Sequence, residues 1–268
     1  MRRSIDELRT FYGEPTGALV RRLLARRLSD AWGTASNCDV LGLGYATPWL
    51  DGFSDARRVI AAMPGGQGAE HYASAARNRS VLVDERRLPF ASGLFDRILM
   101  VHAIEEADDP QAILIEAART LSPSGRLIVA TAARGGLWAR TEATPFGHGR
   151  PFSRRQLENL VRGAGLEPSA WSPAIYVPPW RPLLGFADGF EQAGRVAFPG
   201  AAGLILLEAC RRNYARPRPK GNLVVLPRPA LAPAPSGATR QPHSTGVSRD
   251  SELEPRRKPL YGGVPCTD

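Results

Sequence analysis

Residues able to do chemistry stand at three places in this chain. Gly42-Leu43-Gly44 closes an apolar run, and a glycine backbone lets a bound group approach more closely than any residue with a side chain. The three-glycine fingerprint of a dinucleotide site is not completed here. Asp84-Glu85 ends the short β-branched run Val81-Leu82-Val83, where a carboxylate or a backbone amide can meet a ligand. His102 ends the longer apolar run Phe95–Val101, and an imidazole there orients a substrate or takes a proton near neutral pH. A second histidine, His148, lies in a stretch from Arg134 to Phe152 that is dense in Arg, Trp and Phe and carries four glycines. Trp138 and Phe146 offer apolar walls there, and Arg140, Glu142, His148 and Arg150 a few polar groups, the make-up of a small-molecule site. Each group also has a plainer reading. Asp84 can be an exposed strand-end residue, and His102 a histidine satisfied locally at a helix start. The stretch can be a loop fixed by an Arg140–Glu142 or Arg150–Glu142 ion pair. Glu105 and Glu106, just before a helix cap, read as solvated.

The elements that must position these residues can be read from periodicity. Cys38–Leu43, Arg58–Met63, Val81–Val83, Phe95–Val101 and Leu127–Ala130 read as strands. Phe95–Val101 is too continuous to be half exposed, so it is expected inside a parallel sheet. Asp109-Pro110 is an N-cap followed by proline at the first helical position, and Ile113, Leu114, Ala117 and Leu121 recur behind it at helical spacing. Ser122-Pro123-Ser124-Gly125 is expected to end that helix. Strand, helix and strand so arranged form the crossover of an open α/β sheet, in which ligands lie outside the carboxyl ends of the strands. Asp84, His102 and the segment after Ala130 then share one edge. Ser4-x-x-Glu7 and Ser153-x-x-Gln156 are capping boxes that start two further helices. Glu14–Leu28 is another helix, with an arginine-rich face read as solvated.

One ordered string ties these pieces together: Asp84-x-x-x-Leu88-Pro89-Phe90, Phe95-Asp96, Asp108-Asp109-Pro110, then Glu116-x-x-Arg119-x-Leu121-x-Pro123-x-Gly125-Arg126-Leu127. It resembles the class I S-adenosylmethionine-dependent methyltransferases, and within them the branch that includes quinone-biosynthesis methyltransferases. The resemblance implies a Rossmann-like, seven-stranded, mostly parallel sheet with helices on both faces and an antiparallel last strand. It further implies that Glu167–Val177 and Gly203–Cys210 close the sheet, with a helix in Pro178–Pro199 bearing Trp180, Leu183, Leu184, Phe186 and Phe190. That helix is expected to pack over the pair or to cover an apolar substrate. The implied cofactor is S-adenosylmethionine, on Gly42, Gly44, Tyr45, Met63, Asp84, Glu85 and Leu88. His102 and His148 become the candidate catalytic residues, and Trp138, Arg140, Glu142, Phe146 and Arg150 the acceptor-side loop. The pattern departs from the family at the first loop, where Gly42 replaces an acid, Ala46 a glycine and Pro48 a glycine. It departs again at Met63, which stands where an acid normally holds the ribose hydroxyls. Either Gln67 or Glu70 replaces that acid, or the cofactor is held weakly or not at all.

Composition narrows the partners. The chain has 268 residues and a net charge of +9, with a pI of about 10.2. Of its 35 basic residues all but Lys220 and Lys258 are arginine. Residues 214–268 hold nine basic and four acidic residues, so +5 of the charge lies there and only +4 on the remainder. With the charge so spread, nucleic acid is not the expected partner, and a nucleic-acid-modifying methyltransferase ranks third. A catalytically inactive methyltransferase-like binding or regulatory protein ranks second. The segment from Tyr214 carries ten of the 24 prolines and reads as a disordered tail. The domain is expected over residues 35–213, behind a helical extension over residues 1–34. Cys38, Cys210 and Cys266 form neither a metal pattern nor a disulfide framework, which fits a cytoplasmic protein. No apolar run is long enough to span a bilayer, and no apolar region follows Arg2-Arg3 as in a secretory leader.

Overall fold

Ser4 and Glu7 do close a capping box: each side chain receives the other's backbone amide, at 3.3 and 2.9 Å. They start α1 (Ile5–Gly13), whose buried face is Ile5, Leu8 and Tyr12. Pro15 opens α2 (Pro15–Trp32), which buries Leu19, Val20, Leu23, Leu24 and Leu28. Burying an aliphatic side chain of this kind contributes about 1.5–3 kcal/mol before entropy is counted. The two N-terminal helices are therefore part of the core. The computed structural model describes residues 2–74 and 77–211. The proline-rich segment from Tyr214, together with Cys266, lies outside the described residues.

The strands follow as β1 (Asp39–Gly44), β2 (Arg58–Pro64), the two-residue ribbon β3 (Ala73–Ser74) and β4 (Arg77–Asn78), then β5 (Ser80–Val83) and β6 (Phe95–Val101). A short helix, α3 (Thr47–Leu50), lies between β1 and β2. After β6 come α4 (Pro110–Thr120), β7 (Leu121–Ala132), α5 (Arg154–Gly163), β8 (Leu166–Ala174), α6 (Ala187–Ala197) and β9 (Leu204–Arg211). Seven strands form one sheet in the order β5-β2-β1-β6-β7-β9-β8. All neighbours pair in parallel except at β9, which runs against both β7 and β8. This is the Rossmann-like, mostly parallel sheet that the sequence implied.

Alternation along the strands sorts the core into two layers. Val40, Leu99, Val101, Ile128 and Ala130 face α1 and α2. Leu41, Leu43, Ile98, Met100, Leu127 and Val129 face α4 and α5. The caps at Asp109 and Ser153 are in place, each accepting an amide one turn on, at 3.0 and 3.3 Å. Two boundaries differ from expectation. Thr120 is the last residue of α4, and β7 already begins at Leu121, paired with Phe95 across a register shift. The segment from Pro178 is not one helix. A 3-10 turn over Arg181–Phe186, with Pro182 in its first turn, precedes α6. Leu183, Leu184 and Phe190 pack on the core, while Trp180 and Phe186 stand exposed.

Candidate functional site

The sheet order brings the carboxyl ends of β1, β2, β5, β6 and β7 to one edge, where an open α/β sheet takes its ligands. The glycines at the end of β1 answer first to the chain's own packing. Gly44 has φ of +83°, and a Cβ on it would lie 2.3 Å from Val101 O. A Cβ on Gly42 would lie 2.8 Å from Ala46 and Leu50. The Tyr45 amide donates to the same Val101 carbonyl at 2.8 Å, locking the first loop to the end of β6. Met63 is fully buried at the end of β2 and accepts the Glu70 amide on its sulfur at 3.2 Å. Glu70 reaches back from there to the Thr47 hydroxyl of the first loop. Gln67 is buried on the same side. Its Nε2 donates to His102 O at 3.4 Å, and its Oε1 has no partner. The two residues weighed as replacements for the missing acid thus both sit at the strand edge.

Asp84 is exposed and accepts the Arg86 amide at 2.9 Å, a local turn. Glu85 is paired with Arg2 at 2.8 Å. Leu88 is buried, and its backbone is held from both sides. Its amide donates to Glu116 at 2.9 Å and its carbonyl accepts from Arg119 at 2.9 Å. Arg119 also donates to Phe90 O at 2.9 Å. Glu116 and Arg119 therefore act in this structure as a brace for the Leu88–Phe90 turn. Asp96 is likewise structural, accepting the Asp39 amide at 3.0 Å and the Ser122 hydroxyl at 3.1 Å.

His102 stands at the end of β6 with φ of +49°, a backbone region that non-glycine residues rarely adopt. It is buried, and burial pulls its pKa down to about 3, so the ring is neutral near pH 7. The Tyr12 hydroxyl of α1 meets its Nε2 at 2.8 Å. Phe146 lies against it at 4.6 Å between ring centres, and Trp138 lies 5.9 Å beyond Phe146. The two expected apolar walls are present, with the Trp138 indole donating to Val177 O at 2.8 Å. The polar members of the loop do not join them. Arg140, Glu142 and Arg150 are exposed, and neither arginine pairs with Glu142 among the described residues. His148 is half-buried beside the Arg3 guanidinium and contacts Glu142 O at 2.8 Å.

Glu105 corrects the sequence reading. It is 6% exposed, because Gly149 and Arg150 fold back on it and the Arg150 amide donates to its carbonyl at 2.7 Å. Its Oε1 and the Thr131 hydroxyl both lack hydrogen-bond partners of proper geometry. Burial pushes the Glu105 carboxyl up to about 7, against smaller downward pulls from its own amide and the Thr131 hydroxyl. Tyr12 was missed as well. Its contact with His102 spans 90 positions, and its local signal was only the apolar spacing of α1. Among the described residues no group of acids, histidines and cysteines is placed to hold a metal. None of the helices described is long and apolar enough to cross a membrane.

A family model described as a methyltransferase domain matches residues 20–170. No curated protein matches the chain. A SAM-dependent methyltransferase from Thermotoga maritima superposes with a TM-score of 0.54 at 16% identity, covering 78% of this chain and 96% of that one. A Haloferax volcanii methyltransferase, solved in complex with a methyltransferase activator, gives 0.55 at 17% identity, covering 76% and 97%. A geranyl diphosphate methyltransferase in complex with SAM gives 0.50 at 17% identity, covering 79% and 97%. At these identities the structural likeness is one of fold.

Proposed function

This chain belongs to the methyltransferase-domain family, whose model matches it over residues 20–170, and we propose that it binds S-adenosylmethionine at the carboxyl edge of its sheet and passes the methyl group to a small-molecule acceptor. One observation carries the reading: the matched span holds β1 to β7, the strands whose ends converge on that edge. On this reading the loop Gly42–Tyr45 receives the methionine part of the cofactor. Gln67 and Glu70 take the ribose hydroxyls in place of the acid lost at Met63. The unpaired Oε1 of Gln67 supports this, since a buried acceptor without a donor favours a ligand that supplies one. Asp84 and Glu85 receive the adenine end.

When bound, the cofactor supplies a methyl group on a positively charged sulfur. The chain's own task is then alignment and the exclusion of water. Trp138 and Phe146 wall the acceptor side. His102, at the carboxyl end of β6, accepts or donates a hydrogen bond to the acceptor. Glu105, three residues beyond His102, has a buried carboxyl with an unpartnered Oε1, and it would take the proton where the nucleophile must lose one. His148, beside Arg3, stands further out as a second polar contact.

Ultraviolet cross-linking with methyl-labelled S-adenosylmethionine tests the placement. The label should fall on peptides carrying Gly42–Tyr45, Gln67–Glu70 or Asp84–Leu88, and excess unlabelled cofactor should suppress it. Label confined to other peptides overturns the assignment. One observation favours a second reading, a binding or regulatory protein on a methyltransferase fold: Gly42 and Met63 stand in place of two acids, and both are packed by the chain itself. A folded chain that takes no specific label moves the conclusion to that reading.

A further inference from the structure

The N-terminal segment lies on the strand edge where the cofactor is assigned. Arg2, with its side chain 7% exposed, donates to Glu85 at 2.8 Å and to Ala103 O at 3.0 Å, so it spans the ends of β5 and β6. Its Cδ is 3.6 Å from where a Cβ of Gly66 would be, just after β2. The Ile5 amide donates to Gln67 O at 2.8 Å, and Ile5 packs over Gly68. At the other end of α1, the Tyr12 ring stacks on Tyr45 at 5.5 Å and meets Trp49 edge-on at 5.2 Å. Residues 2–12 thus touch the ends of β1, β2, β5 and β6, covering both the adenosine and the methionine positions assigned above. Two clefts, of about 590 and 370 Å³, open on either side of this segment, and Arg2 and Glu106 line both.

The segment is joined to the rest at a bend. Gly13 ends α1 with open space around it, Glu14 is extended, and Pro15, which has no amide to donate, begins α2. The Glu14 amide donates back to Phe11 O at 3.0 Å and its carbonyl accepts from the Ala18 amide at 2.8 Å, so Glu14 is the single residue that links the two helices.

We propose that residues 2–12 are a strap that occupies the cofactor bed, and that S-adenosylmethionine enters only as this segment swings away about Gly13–Glu14. The proposal rests on the methyltransferase reading of the same edge. A ligand that binds only the open form has its apparent affinity reduced by the open fraction, so an open fraction of about one tenth weakens binding about tenfold. The apolar face of α1 and the bonds of Arg2 keep that fraction small.

Hydrogen–deuterium exchange on the full chain tests the strap, with and without saturating S-adenosylhomocysteine. The strap predicts that the ligand speeds exchange of the Ile5–Gly13 amides severalfold while slowing those of Gly44–Ala46. Slower exchange in both segments overturns it, because the helix would then be closing over the ligand. Calorimetry on the paired variant Arg2→Ala/Tyr12→Ala gives a second readout, in which S-adenosylhomocysteine should bind about tenfold tighter than to the unaltered chain. Equal affinities overturn the strap and leave the methyltransferase reading standing. If neither protein binds while both unfold cooperatively, the methyltransferase reading falls, and the strap with it. A variant that does not fold leaves the exchange experiment on the unaltered chain to decide.

Discussion

Gly44→Ala is expected to cost a large part of the protein's stability, on the order of 4 kcal/mol against a typical total of about 5–15. Two effects add. A φ of +83° is strained for any residue with a Cβ, and that Cβ would fall 2.3 Å from Val101 O and 3.0 Å from Ala103 Cβ. Neither neighbour can retreat easily, because the Tyr45 amide already holds Val101 O at 2.8 Å. Gly52 is the control, since a Cβ there meets nothing within 4 Å. Urea unfolding should show a large fall in midpoint for Gly44→Ala and a shift within about 0.5 kcal/mol for Gly52→Ala. Equal midpoints would mean that the close approach of β1 to the end of β6 is wrong.

The second large effect is on pH dependence, and two buried groups act with opposite signs. His102 has a folded pKa of about 3, below its ordinary 6.5. Its contribution is complete above pH 6.5 and is lost as pH falls from there through 3, by up to about 5 kcal/mol. Glu105 has a folded pKa of about 7, above its ordinary 4.5. Its contribution is complete below pH 4.5 and is lost as pH rises through 7, by up to about 3 kcal/mol. Between 4.5 and 6.5 the two slopes oppose each other, so the wild-type profile is expected to be shallow there. Glu105→Gln removes one slope. Its stability relative to wild type should rise between pH 4.5 and 7 and level off at about 3 kcal/mol in its favour. A difference flat with pH would show that Glu105 is solvated, as its sequence context suggested.

Much of the scaffold was legible because it is locally encoded. The continuous run Phe95–Val101, the Asp109-Pro110 cap and the two capping boxes each specify their element within a few residues, and the strand-end residues they carry reach one edge. The ordered string from Asp84 to Leu127 pointed to the right family, yet much of what it encodes is scaffold, with Glu116 and Arg119 bracing Leu88 and Phe90. What failed to show in the sequence depends on distant contacts. Tyr12 reads only as one apolar position of a short helix, and nothing local says that it will meet His102. Glu105 reads as polar beside a cap, and its burial comes from a loop that returns more than forty residues later at Gly149 and Arg150. The loop's aromatic walls were legible because large apolar side chains seek burial. Its charges could serve a site or solvent equally, and Arg140, Glu142 and Arg150 face solvent.

Calorimetric titration of the full chain with S-adenosylmethionine tests the central claim most directly. The account predicts a saturable, single-site heat with a dissociation constant at or below about 1 mM, equivalent to about −4 kcal/mol or tighter. A chain that unfolds cooperatively and yet shows no binding heat in that range would contradict it.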